Sequence, residues 1–170
     1  LSATTPVGFG EAVVAFMNPG GIRADLTYLG SAAGEGNGNV TYGESFTVQP
    51  FGNSLVTMSL TGAQIETLLE QQFAPCTFTA NRILQVSSGF SYTWNSAGGT
   101  CDKVDPSTIM INGVVVNPGA SYRVTVNSFL ADGGDSFPVL TEGTNRLGGA
   151  VDTDALDDYF TAFSPSPVAP

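Results

Sequence analysis

The sequence predicts an α+β fold, a mixed β-sheet with flanking helices. Two observations carry this reading. Segments patterned as strands outnumber those patterned as helices, and the two kinds mix without the regular alternation of a parallel βαβ protein. Ala12 to Met17 is a short, continuous apolar run emptying into Asn18-Pro19-Gly20-Gly21, as a buried strand entering a tight loop does. Gly30 to Asn39 is Gly/Asn-rich and reads as a surface loop. No apolar strand precedes it and no Lys follows its glycines, so it is not a phosphate-cradling loop. Ser54 to Leu60 alternates polar and apolar side chains, the mark of a half-buried strand.

Thr61 with Gln64 three residues on forms a capping box. Ile65, Leu68, Leu69 and Phe73 follow at helical spacing, so an amphipathic helix is expected over Gly62 to Phe73, stopped by Pro75. Its apolar stripe is expected in the core. Phe90 to Trp94 alternates aromatic and hydroxyl side chains. Ile109 to Val116 reads as a hairpin turning at Asn112-Gly113. Pro118-Gly119 makes another turn, and Ser121 to Val126 alternates again. A last helix is expected from about Thr153 to Phe163, with Leu156, Tyr159, Phe160 and Phe163 on one face. Asp152, Asp154, Asp157 and Asp158 crowd its first turns, where the helix dipole favours them. They lack the glycine and closing Glu of a calcium loop. Residues 1–163 thus form one domain and 164–170, Ser-Pro-Ser-Pro-Val-Ala-Pro, a Pro-rich tail or linker.

Composition narrows the function. The 170 residues are 42% hydrophobic and 12% charged, as a globular domain is. Five Lys+Arg against fifteen Asp+Glu give a formal charge of -10, which argues against a nucleic-acid polymer or an anionic membrane surface as partner. No stretch approaches the roughly 18 apolar residues of a membrane span, so no membrane insertion is expected. The chain contains no histidine. That excludes a Ser–His or Cys–His nucleophile pair, a His-ligated metal and imidazole acid/base chemistry within it. Cys76 and Cys101 are the only cysteines, and a single disulfide in an exported protein is preferred over two reduced thiols. Asn39-Val40-Thr41 matches a glycosylation sequon, a pattern common by chance. The opening Leu1-Ser2-Ala3-Thr4-Thr5-Pro6 reads as a processed or cut end.

Three loops carry residues that do little for a core. In Asn18 to Asp25, the two glycines let a ligand approach the backbone, and Arg23 offers a fork for phosphate or carboxylate unless it pairs with Asp25 or another surface acid. In Gln49 to Asn53, Phe51 either stacks on a flat ligand or tucks under the domain. In Asn127 to Phe137, Phe129 is a second aromatic, and Asp135 either accepts two hydrogen bonds from a vicinal diol or caps its turn. Together they supply an anion fork, two rings and a diol acceptor, the set a nucleoside phosphate requires.

At these residues the chain resembles the C-terminal domain of the 5'-nucleotidase family, which includes UDP-sugar hydrolases and 2',3'-cyclic-nucleotide phosphodiesterases. The resemblance runs from about Val13 to Phe163 and rests on Phe16 to Leu26, Thr47 to Gln64 and Tyr122 to Phe137. It implies a substrate-recognition domain in which Phe51 and Phe129 sandwich the base, Asp135 binds the ribose hydroxyls, and Asn18 and Arg23 contact the phosphate side. It assigns no catalytic residue and no metal ligand to this chain. Two divalent metal ions and the catalytic His/Asp set are expected in an N-terminal metallophosphoesterase domain of the same precursor, against which this domain rotates. Family members carry a further arginine on the helix before the matched region. Pro19 stands where many relatives have a glycine. Cys76 and Cys101 lie outside the family motifs. A secreted, periplasmic or cell-surface location is expected. The rivals are a stand-alone nucleoside- or sugar-binding module and an adhesive surface domain.

Overall fold

The computed structural model describes residues 10–29 and 34–162. A five-stranded mixed sheet forms the centre, in the order β10-β2-β9-β1-β3. β1 (Val14–Met17) runs parallel to β9 (Ser121–Asn127) and antiparallel to β3 (Gln85–Val86). β2 (Ser54–Thr61) pairs antiparallel with β9 on one side and with β10 (Thr144–Val151) on the other. Two small additions flank it: a three-stranded sheet of β4 (Phe90–Ser91), β7 (Met110–Ile111) and β8 (Val114–Val115), and a hairpin of β5 (Trp94–Gly99) with β6 (Asp102–Val104). The helices are α1 (Tyr42–Val48), α2 (Gly62–Glu70), the single turn α3 (Ser128–Ala131) and α4 (Asp152–Ala162). The α+β class with a mixed sheet is as the sequence predicts.

Period-two alternation decides where the core sits. Val14 and Phe16, Val56, Met58 and Leu60, and Val124 and Val126 all face one side of the sheet. There Ile65, Leu68 and Leu69 of α2 meet them, joined by Phe73, Leu130, Phe137 and Leu140. The intervening Thr57 and Thr125 face the other side, hydroxyl to hydroxyl at 2.9 Å.

Most expected elements are present with shifted ends. Thr61 and Gln64 close the expected capping box, but α2 ends at Glu70, before the chain reaches Pro75. Asn112 (φ 50°) and Gly113 (φ 77°) make the hairpin turn. The Phe90 to Trp94 segment is not one strand: it divides between β4 and β5 at Tyr92-Thr93. In α4 the expected apolar face is not core. Tyr159 is exposed, Leu156 and Phe160 are half-buried, and Asp152, Thr153 and Ala155 make the buried side. Phe163, residues 1–9 and 30–33, and the 164–170 tail lie outside the described residues. Two elements carried no strong pattern, α1 and β10. α1 has its own capping box, in which the Thr41 N–H and hydroxyl donate to Glu44 and hold its carboxyl below the ordinary carboxylate range.

Cys76 and Cys101 form a disulfide that ties the loop after α2 to the β5–β6 turn, across 25 residues of chain. Closing a loop of that length removes about 3 kcal/mol of entropy from the unfolded state. Cys76→Ala/Cys101→Ala is therefore expected to lose about 3 kcal/mol in denaturant unfolding followed by circular dichroism. A loss under about 1 kcal/mol would show that loop closure contributes little here.

Candidate functional site

Strand pairing determines which loops meet. β1 and β9 are parallel, with Val14 opposite Val124 and Ala15 opposite Thr125, so both strands empty their loops at the same end of the sheet. β2 runs antiparallel to β9, with Leu55 opposite Asn127, so the loop that enters β2 arrives at that end too. The three loops singled out in the sequence thus converge. They enclose a cleft of ≈ 290 Å³ lined by Asn18, Gly20, Gly21, Arg23, Phe51, Asn53, Asn127, Phe129 and Asp135. All five sequence-predicted residues are in it.

The floor is a chain of amides. Asn127 caps α3 by accepting the Leu130 N–H, and its Nδ2 donates to Asn18 Oδ1 at 2.9 Å. Asn18 Nδ2 in turn donates to Asp135 Oδ2 at 2.8 Å. Asn18 is buried, and its amide orientation is fixed at both ends. The Pro19–Gly21 turn that follows is tight: a Cβ at Gly21 would approach Met17 Cε to 2.6 Å and Asn18 Oδ1 to 2.8 Å. Pro19 opens this turn without disturbing it, since the Gly21 N–H still reaches the Asn18 carbonyl.

The walls are aromatic. Phe51 is 56% exposed and Phe129 47%, which answers the alternative of a loop Phe tucked under the domain. The Phe129 ring lies against the backbone of Gly134, where a Cβ would come within 2.5–2.6 Å of three ring atoms. Only glycine at 134 leaves the ring where it is. Arg23 Cζ stands 5.8 Å from the Phe51 ring centroid, and its Nη1 reaches the Gly20 carbonyl at a long 3.4 Å.

The other four cations are engaged elsewhere. Arg82 bonds the Asp135 carbonyl, Arg123 the Gly10 and Asn145 carbonyls, Arg146 the Asp132 carboxylate, and Lys103 the Ser96 and Gly98 carbonyls. Among the described residues Arg23 makes no ion pair, with Asp25 or any other acid. Asp135 occupies a left-handed conformation (φ 54°, ψ 23°), as does Ser136 after it (φ 64°). Non-glycine residues held there in succession mark a loop whose surroundings over-determine it.

Asn127, Asn53, Gly134 and Arg82 were not picked out by the sequence. Asn53, Asn127 and Gly134 stand inside loops that were, and the cap position before Ser128 is a usable signal. Nothing local marks Arg82. Among the described residues no three Asp, Glu or Cys side chains are grouped to hold a metal, and no helix is long and apolar enough to cross a membrane.

An α+β domain with a ligand-sized cleft at one end of its mixed sheet is the class defined by this fold. The family 5'-nucleotidase, C-terminal domain, matches residues 8–142, and the chain belongs to it. The endonuclease YhcR of Bacillus subtilis is 32% identical over 157 residues, which is 91% of this chain and 11% of that protein. The 5'-nucleotidase of Vibrio cholerae is 31% identical over 156 residues, 91% of this chain and 25% of its own length. The crystal structure of the 5'-nucleotidase precursor from Thermus thermophilus superposes with a TM-score of 0.70 at 34% identity, covering 89% of this chain and 29% of that one. The chain spans less than a third of the length of each of these relatives.

Proposed function

We propose that this domain recognises the nucleotide for an exported, metal-dependent 5'-nucleotidase-type hydrolase. The observation that carries the reading is the convergence of Arg23, Phe51, Phe129 and Asp135, from three loops far apart in sequence, on one cleft. The base stacks between the two exposed rings, since every base offers a π-face. The Asp135 carboxylate accepts from the ribose hydroxyls. Arg23, the cation of the cleft lining and without an ion pair among the described residues, takes the phosphate with Asn18 beside it.

Hydrolysis itself needs groups this chain does not carry. Two divalent metals, held by an N-terminal metallophosphoesterase domain of the same precursor, would supply an activated water. This domain's share is positioning. The purified chain is expected to leave AMP intact. The disulfide fits an oxidising, extracytoplasmic compartment.

Arg23→Ala separates the phosphate contact from the rest. It is expected to weaken AMP binding about 10-fold while leaving adenosine within about 2-fold, in calorimetric titrations at fixed ionic strength. Equal losses for both ligands would remove Arg23 from the phosphate.

A further inference from the structure

Asp135 is held from behind by a segment that does not line the cleft. Arg82 Nη1 donates to the Asp135 carbonyl at 3.0 Å, and its Nε lies 3.9 Å from Asp135 Oδ1. The Thr77 hydroxyl donates to the next carbonyl, that of Ser136, at 2.7 Å. These two successive non-glycine residues have left-handed backbone, and such a conformation persists only where neighbours over-determine it. Each carbonyl of the strained pair has its own side-chain donor, and both donors come from the same loop.

That loop is rigid for reasons of its own. The Arg82 N–H returns to the Gln72 carbonyl at 2.8 Å, closing the loop's base, and Asn81 Oδ1 accepts the Ala74 N–H across it. The Arg82 guanidinium stacks on the Phe78 ring with Cζ 3.3 Å from the centroid, which fixes its direction. Cys76, the residue before Thr77, is tied covalently to Cys101. Arg82 is absent from the cleft wall, so its route to a ligand runs through Asp135.

We propose that residues 76–82 form a clamp that holds Asp135 in its ligand-ready conformation, with Arg82 and Thr77 as positioning residues and the Cys76–Cys101 disulfide as the anchor. This rests on the reading of Asp135 as the ribose acceptor. Releasing the clamp lets residues 135–136 relax toward ordinary backbone, which moves the carboxylate off the Asn18 amide and out of the cleft.

The test uses the 170-residue chain and two readouts, the adenosine affinity by calorimetry and the ¹⁵N relaxation of the Asp135 and Ser136 amides without ligand. Arg82→Ala is expected to weaken adenosine about 10-fold and to bring exchange broadening to those two amides, with the core amides of Val124 and Val126 unchanged. Arg82→Lys, which retains a donor for the Asp135 carbonyl, is expected to restore most of both. Thr77→Val and Cys76→Ser/Cys101→Ser should each give a smaller effect of the same kind, about 3-fold, and they carry the test if Arg82→Ala does not fold. Wild-type relaxation at 135–136 in these variants would overturn the clamp. A loss of affinity without broadening would overturn it too, by making Arg82 a ligand contact. Broadening without loss of affinity would end the claim that this conformation is the ligand-ready one. If the wild-type chain does not bind adenosine, the ribose reading fails by itself, and relaxation alone decides the clamp, broadening supporting it and its absence overturning it.

Discussion

Asp135→Ala is expected to lower adenosine affinity by about 100-fold or more, because two charge-assisted hydrogen bonds to a diol are lost together. Three effects add. The carboxylate is the anion among the cleft-lining residues, and a ribose has no other acidic acceptor there. Its removal frees the Asn18 amide, whose Nδ2 then has no Oδ2 to meet and can turn into the cleft. Alanine also tolerates φ 54° less well than aspartate, so the loop relaxes as the ligand contact disappears. Asp135→Asn separates these effects. It keeps the shape and the left-handed preference but loses the charge and one acceptor, and about a 10-fold loss is expected. The informative pair of ligands is adenosine and 2'-deoxyadenosine. The wild-type chain should prefer adenosine, and Asp135→Ala should bind both equally. Undiminished discrimination in Asp135→Ala would falsify the ribose assignment.

The site's residues are legible because each belongs to a loop at a strand end, with chemistry it does not need for folding. Asn18-Pro19-Gly20-Gly21 ends an apolar strand with a turn, Gly133-Gly134 turns the loop that follows the alternating Ser121 to Val126 segment, and Arg23, Phe51, Phe129 and Asp135 are out of place beside them. What the sequence does not carry is that these loops share one end of the sheet. That follows from the parallel pairing of β1 with β9, two strands separated by more than a hundred residues, and no local pattern encodes a pairing partner. The amide chain from Asn127 through Asn18 to Asp135 is invisible for the same reason.

The missed elements failed differently. α1 is only seven residues with an internal Gly43, too short for a helical period to emerge, though its Thr41–Glu44 box was present to be read. β10 contains Gly148-Gly149 and has no alternation. It is an exposed edge strand, held by pairing with β2 through an irregular register. In α4 the stripe Leu156–Tyr159–Phe160 obeys helical spacing, yet the helix buries Asp152, Thr153 and Ala155. Periodicity reports that a face is apolar and does not report what lies against it.

Glu70→Ala should give the largest loss of stability among polar substitutions, about 3–5 kcal/mol, from a residue that helical spacing assigns to the solvent face. Its side chain is instead 6% exposed. One carboxylate oxygen accepts the N–H groups of Lys103 and Val104 at 2.8 and 2.6 Å, and the other accepts Lys103 again at 2.9 Å. Glu70 thereby takes the place of a neighbouring strand for β6, whose ladder partner is β5. The Lys103 ammonium does not neutralise it, being bonded to the Ser96 and Gly98 carbonyls. The hydrogen-bond donors to this carboxylate are therefore backbone N–H groups, and truncation strands them beside the buried Val104 at about 1–3 kcal/mol each. At this chain length about 2–4 °C of melting temperature accompanies each kcal/mol, so Glu70→Ala is expected to melt about 10 °C below the wild type by circular dichroism. Glu70→Gln, which keeps one acceptor and the shape, should recover about half of that. Glu70→Leu should recover nothing, since a side chain of similar size accepts no hydrogen bond. A Glu70→Leu chain as stable as the wild type would mean that filling the volume, not accepting the β6 N–H groups, is what the position requires.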